Sequence, residues 1–475
     1  LPTVACRHPA VDVAGGRGTG VMRTTTTSIA GMGRLACRVW ERAVERPVLA
    51  VVVVSAAARL SVALVLNLFD IWSLAPDALQ YLAVAEANAD GRLEEFWAGY
   101  GASLYGSTRS FSGQLWFLFE LFGPYRLLGQ LLAVFYGVLT AGLTAYLALR
   151  LLRPAFALLA GMIVAFLPSQ VLFSSVTLRE SLVWALLAAA AVTCSRLGPR
   201  VSRPSIVIGV AGLAVLFYLL ATVRAQTAII ALWCMTLALV AVRGHRLLRC
   251  GSAAVLFLVV PLLIGYSPGG VTYLIKSASR LGTVRTYMAM SAESAIAELQ
   301  PLIVESGTTA GGDADAAPLP TVEGAHRNVL DRVEHLGPDD QTFVRDYQGN
   351  AVVVHNDLSA SLTAFPSGLL AVTVRPVPWE AEMSGRRQAA GYESIIWLSL
   401  FVFAGVGAWV RRRESHVVVL PVSLILAVTL SSAVTQGNLG TAFRHKEQIL
   451  FALSILAVAG LQAAIDHRQR GDDPT

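Results

Sequence analysis

The chain has 475 residues, of which 55% are hydrophobic and only 14% charged, with a mean hydropathy of +0.60. A water-soluble protein carries about a quarter charged residues, so the composition excludes a soluble globular fold and indicates a polytopic membrane protein. The formal charge of +6 does not indicate nucleic-acid binding, because the basic residues sit in short links between apolar runs, with no basic domain or aromatic-interleaved basic patch.

Residues 1–31 are Gly- and Thr-rich, contain a TTTT run and lack an apolar period. They read as a disordered or non-native extension, with Met22 or Met32 as alternative starts. Arg34, Arg38, Arg42 and Arg46 then precede a first span at 47–69, too long for a signal-peptide core and so expected to be retained with its N-terminus inside. Arg59 falls near the middle of that span; a charge at this depth must face the bundle or a polar cavity, and structural pairing is expected there before catalysis.

A polar segment, 70–112, follows as the first outer loop. Within DIWSLAPDALQYLAVAEAN at 70–88, a continuing helix places Asp77, Tyr81, Ala85 and Asn88 on one face. The apolar, aromatic stretch at 111–123 is suited to the membrane interface. Further spans are expected at 127–149, 155–172 (bent by Pro168), 181–195, 206–222, 227–242, 253–266, 394–410, 417–434 and 449–461. The whole chain therefore reads as an all-α polytopic protein of about ten transmembrane helices, with a large outer loop or small domain at 269–392 between spans seven and eight. In that loop 306–320 reads as a flexible linker, 277–300 and 322–336 as helical, and 366–374 as apolar enough to enter the interface.

With ten spans, every inner link is Arg-rich: Arg150 and Arg153; Arg196, Arg200 and Arg203; RGHRLLR; Arg411 to Arg413; and Arg468 and Arg470. The positive-inside rule then puts both termini in the cytoplasm of a bacterial-type plasma membrane. The cysteines at 6, 37, 194, 234 and 250 show no CxxC pairing and none falls on the outer face, so no structural disulfide is expected. GxxxxGK[ST], HExxH and GxSxG are absent, and His326, His335 and His355 lack metal-ligand spacing.

This topology gathers the polar span ends on the outer face: Asp70 and Asp77, Arg179 with Glu180, Arg224, Arg375 with Glu380, and Asn438, Arg444 and His445. Singly, each reads equally well as a helix cap or interfacial anchor. Together, opposite the basic links, they suggest a site. The outer face has no supply of nucleotides, so a sugar donor there must arrive activated and already across the bilayer, as a polyprenyl-phosphate sugar does. Transfer needs a carboxylate to deprotonate the acceptor hydroxyl and cations to hold the leaving phosphate; arginine suits the second task. Asp77 or Asp70 supplies the base, and Arg179, Arg224, Arg375 or Arg444 the phosphate contact.

The chain also resembles the GT-C superfamily of integral-membrane glycosyltransferases, in its protein-mannosyltransferase and aminoarabinose-transferase branch, on the following stretches. PDALQYLAVAEAN at 76–88 resembles the family's Asp-Glu-x-x-Tyr element, and 111–152 its passage into the second span. LPSQVLFSSVTLRESLVWALL at 167–187 resembles its second outer loop. RPVPWE at 375–380 and GNLGTAFRHKEQ at 437–448 resemble elements of membrane proteins from bacterial polysaccharide clusters. The resemblance implies an N-terminal GT-C-like module at 32–268 and C-terminal helices at 393–475. It makes Asp77 the base and puts Arg179–Glu180 near the donor phosphate, with Tyr81 a substrate-binding candidate beside Asp77. The chain departs from the family where Ala78 follows Asp77 in place of Glu, which leaves Asp77 alone or with Asp70 as base. The implied partners are a polyprenyl-phosphate sugar donor, a glycan, lipid or protein acceptor and membrane lipids; no cofactor is assigned, and a divalent cation is left open. The alternatives are a polysaccharide polymerase or ligase using lipid-linked oligosaccharide, and a transporter or non-catalytic partner in envelope assembly.

Overall fold

The computed structural model describes residues 38–69, 71, 77–91, 102–278, 333–335, 342–345, 351–354, 365–379, 385–435 and 444–471. Asp70, Glu380, Asn438, the N-terminal extension and most of 279–364, including the 306–320 linker, lie outside them.

The chain is a helical, multi-pass membrane protein. Its helices are α1 (Pro47–Leu68), α2 (Asp77–Ala89), α3 (Ala102–Phe122), α4 (Arg126–Leu149), α5 (Pro154–Phe166), α6 (Pro168–Phe173), α7 (Glu180–Arg196), α8 (Arg203–Val223), α9 (Ala225–Ala241), α10 (Arg246–Leu263, with a π turn at Val255–Val259), α11 (Val271–Ala278), α12 (Phe365–Thr373), α13 (Gly385–Val410), α14 (Ser415–Thr435) and α15 (Leu450–Gly471). Six of these, α1, α4, α8, α10, α13 and α15, contain stretches long and apolar enough to cross a membrane, and α5, α9 and α14 carry shorter apolar stretches. A helix occupies each of the ten positions expected from sequence, although α7 falls in neither set.

Three features depart from the sequence expectation. Pro168 does not bend a span at 155–172 but ends it: α5 stops at Phe166 and α6 starts afresh at Pro168. Residues 333–335, read as part of a helix, instead form the first strand of a small antiparallel sheet, with β1 (Val333–His335), β2 (Thr342–Arg345) and β3 (Ala351–Val354) in that order. The chain is therefore helical except for this sheet among the described residues. The apolar stretch from 366 is helix α12, which packs on α14 so closely that Gly368 meets the Ala433 carbonyl.

Burial follows from apolar runs sorted by side-chain size. On α1 the buried positions Val51, Ser55, Arg59, Ala63 and Leu66 make one stripe at helical spacing, while Leu49, Val53, Leu60 and Leu64 are exposed on the other faces. The stripe lies against α4 and α5. α15 is central: positions 449–460 are buried without interruption, and α13, α5, α14 and α4 surround it. α13 and α15 touch backbone to backbone at Gly407 and Gly460, where a Cβ on Gly407 would overlap the Leu456 carbonyl oxygen. Small residues at such crossings are how helices approach one another when the surroundings are themselves apolar.

The break between α5 and α6 sets free polar backbone groups inside the bundle, where water is absent. Pro168 has no N–H for the Val164 carbonyl, and the N–H of Ser169 turns to Glu393 Oε2 (2.9 Å) instead of to Ala165. Arg59 supplies both missing donors: Nη2 donates to Val164 O and Nη1 to Ala165 O, each at 3.1 Å. Two further donors go to Ser174 Oγ (2.7 Å, from Nε) and Ser55 Oγ (2.6 Å, from Nη1). Arg59 thus caps the end of α5 and Glu393 the start of α6. Gly137 on α4 makes room for this, since a Cβ there would lie 2.6 Å from Arg59 Nε and Ser174 Cβ.

Candidate active site

At the end of the bundle opposite the Arg-rich links, four segments bring ionisable side chains together. The tight loop after α6 positions Arg179, which donates Nη1–H to the last carbonyl of α8, Val223 O, at 3.3 Å, and leads directly into Glu180 in the first turn of α7. Arg224 occupies the single-residue corner between α8 and α9. Residues 444–448 form a short turn before α15. α2 contributes Tyr81, buried and edge-on to Phe111 of α3.

Arg224 is the centre of this group. Its Nη2 lies 2.9 Å from His445 Nε2. A guanidinium can only donate, so His445 accepts through Nε2 and carries its proton on Nδ1, which faces Ser432 Oγ at 3.5 Å. Arg224 Nη1 is buried and has no hydrogen-bond partner among the described residues, as is true of Glu180 Oε2. Arg179, Glu180, Tyr81 and Arg444 are all close enough to act on Arg224 electrostatically. Burial, together with Arg179 and Arg444, pushes the Arg224 guanidinium down to about 10, which still leaves it charged at neutral pH. Burial, then Arg224, Arg444 and Arg179, holds the His445 imidazole well below its usual range and hence neutral, as its hydrogen bond requires. Arg444 stacks over the Phe173 ring at 5.7 Å. Thr227 donates to Gln448 Oε1 (3.0 Å) and Gln226 to Ser431 Oγ (2.8 Å), joining α9 to the 444–448 turn and to α14.

Deeper, the same turn places Lys446 and Glu447 beside Glu393. Lys446 Nζ sits 4.8 Å over the Trp397 ring, and Trp397 Nε1 donates to Glu393 Oε1 at 2.9 Å. Ser169 donates its hydroxyl to the same carboxylate oxygen. Glu447 is almost completely buried and neither of its carboxylate oxygens has a well-formed hydrogen bond. Burial and the neighbouring Glu393 raise the Glu447 carboxyl well above the ordinary range, against the opposing pull of Ser169 and Lys446. Burial lowers Lys446 to about 8, opposed by Glu393 and Glu447.

Of the residues singled out from sequence, the structure thus brings together Tyr81, Arg179, Glu180, Arg224, Arg444 and His445. Asp77 is the first residue of α2, one turn before Tyr81. Arg375 follows α12 and is exposed. The sequence reading missed Glu393, Lys446 and Glu447. The available signal was a Lys-Glu pair only two residues from a long apolar run, where ionisable groups are costly and so carry a purpose. Among the described residues no group of three or more His, Cys, Asp or Glu side chains is placed to hold a metal ion.

No protein family, curated protein or solved structure matches the chain.

Proposed function

We propose that the chain is a membrane glycosyltransferase of GT-C type, moving a sugar from a polyprenyl-phosphate donor to an acceptor hydroxyl at the outer face. One observation carries this reading. Arg224 is half-buried; its guanidinium bonds a neutral imidazole, and its buried Nη1 is left to donate elsewhere. A desolvated cation ordinarily bonds a carboxylate. Glu180 is near Arg224 but forms no hydrogen bond or ion pair with it among the described residues, and a cation bonded only by an uncharged acceptor is suited to an anion that comes and goes. Its neighbours Arg179 and Arg444 strengthen the attraction for a phosphate, and they occupy the polar end of an otherwise apolar bundle, as an amphiphilic donor requires.

In this mechanism Asp77, one turn from Tyr81, takes the proton of the acceptor hydroxyl. The acceptor oxygen bonds to the anomeric carbon as the bond from that carbon to the phosphate oxygen breaks. The electron pair leaves with the polyprenyl phosphate, whose charge Arg224 and its neighbours stabilise.

A second reading, as a transporter, draws on the broken helix α5–α6 and the buried charges around it, which transporters use to build sites at mid-membrane. Two of those charges, Arg59 and Glu393, are already committed as caps of the broken helix.

The deciding experiment reconstitutes wild type, Asp77→Asn and Arg224→Gln in liposomes with radiolabelled polyprenyl-phosphate sugars and extracted lipid or glycan acceptors. Wild type is expected to transfer label, and each variant, still folded, to lose about 10²- to 10³-fold in rate. Transfer that survives in both variants would refute the mechanism. Absence of transfer in wild type, with labelled sugar lipid crossing the bilayer, would establish the transporter.

A further inference from the structure

A partly enclosed cavity lies not at this site but toward the Arg-rich links. It has a volume of about 550 Å³ and lies among the basic ends of α4, α7, α9 and α14 and the first two turns of α15. Its walls are apolar, with Leu147, Leu239, Phe451 and Ile455 prominent among them, and its lining also includes Arg150, Arg196 and Arg200, all exposed. No acidic side chain lines it among the described residues. Arg196 spends one guanidinium nitrogen on the Tyr146 hydroxyl (3.0 Å), and Arg150 makes one long contact to Ser195 O (3.4 Å). Each guanidinium has five N–H donors, so both keep most of them for another ligand.

From this geometry we infer that the cavity is a binding site for an anionic phospholipid of the leaflet at the basic end, with the headgroup phosphate on Arg150, Arg196 and Arg200 and one acyl chain inserted between the helices. The two halves of the lining demand the two halves of such a molecule. A soluble anion would satisfy the arginines but leave apolar walls without contacts; a neutral hydrocarbon would fill the walls but leave the arginines to water. The volume falls in the range of small-molecule sites, about 300–1,000 Å³. A leaflet rich in anionic lipid is also the one that attracts basic links, so the ligand is concentrated where the cavity lies. The site ties five helices together, and its occupant acts as a structural bridge.

The test uses the full chain in nanodiscs of phosphatidylcholine or phosphatidylglycerol with matched acyl chains, with glycerol phosphate as a headgroup-only arm. Native mass spectrometry counts retained lipids and thermal unfolding reports stabilisation. Wild type is expected to retain phosphatidylglycerol and to unfold several degrees higher with it than with phosphatidylcholine, while glycerol phosphate does nothing. The triple substitution Arg150→Gln, Arg196→Gln, Arg200→Gln is expected to weaken retention about tenfold or more and to abolish the preference. Ala238→Leu, which narrows the cavity and leaves all three arginines, is expected to lower retention too. Equal behaviour of the two lipids, an equal shift with glycerol phosphate, or full retention by Ala238→Leu would each overturn the assignment. Should the triple variant fail to fold, Ala238→Leu alone decides.

Discussion

Arg224 Nη2 stands 2.9 Å from His445 Nε2, which fixes the imidazole as a neutral acceptor in the middle of a cluster of arginines. The charge state has a consequence for stability. His445 is held well below its ordinary value of 6.5, so below about pH 6.5 the unfolded chain takes up a proton that the folded chain refuses. The contribution of His445 is therefore fully present above 6.5 and falls as pH drops, by about 1.4 kcal/mol per pH unit until the folded group also titrates. Thermal unfolding in detergent is expected to show a midpoint that declines from pH 7 to 5.5 in wild type. His445→Gln keeps an acceptor for Arg224 but cannot titrate, and its profile is expected to be flatter; identical profiles would contradict the tautomer.

Glu447 works in the opposite sense. Its carboxyl is raised above the unfolded value of 4.5, so its contribution is complete below 4.5 and is lost as pH rises toward the folded value. At neutral pH the folded state therefore bears the cost of holding a buried group that prefers to ionise. Glu447→Gln removes that cost at nearly constant shape and is expected to stabilise the protein at pH 7 by about 1–2 kcal/mol, with no gain at pH 4.5. Scans of the unfolding midpoint at the two pH values measure it. A variant that is less stable at pH 7 would mean that Glu447 is ionised and well paired.

Much of the bundle was legible because a membrane leaves the backbone few options: each apolar run between Arg-rich links had to close its own hydrogen bonds, and a helix stands at each. Six residues of the cluster were legible for a related reason, as Tyr81, Arg179, Glu180, Arg224, Arg444 and His445 all occur at or beyond the ends of apolar runs. Lys446 and Glu447 were not, because sequence assigns residues beside a span to a solvated link, whereas here the link turns inward. There Lys446 lies over the Trp397 ring of α13. The depth of the Pro168 break was hidden likewise: a proline in an apolar run signals a kink, and only Arg59 and Glu393, at sequence distances above 100 and 200 residues, turn it into two capped helices. The β-branched Thr342, Val344 and Val352–Val354, either side of a Gly-Asn pair, were an available strand signal that the reading of 269–392 as a loop or small domain passed over.

The glycine crossing supplies a prediction with its own control. A Cβ at Gly407 would stand 1.9 Å from the Leu456 carbonyl oxygen, a backbone atom that cannot rotate away, whereas one at Gly405 meets nothing within 4 Å. Gly407→Ala is expected to force α13 and α15 apart and to destabilise by about 1–3 kcal/mol or more. Gly405→Ala is expected to be neutral or slightly stabilising, as helix propensity alone dictates. Fluorescence-detected size exclusion after heating measures both; equal behaviour would mean that the helices do not cross there.

Arg59 was expected to face the bundle, and its partners say what for. It donates to two carbonyls that lost their own donors at the α5–α6 break, and to two serines. Arg59→Met preserves length and apolar packing but leaves Val164 O and Ala165 O without partners in a water-free interior. The expected loss is about 3–5 kcal/mol, enough to cut the folded yield sharply. Arg59→Lys restores the charge but cannot present five donors in a fork, so it is expected to recover only part of that stability. If charge alone mattered, through the nearby Glu447, lysine would restore the wild-type midpoint; a midpoint between those of methionine and arginine identifies Arg59 as the cap of a broken helix.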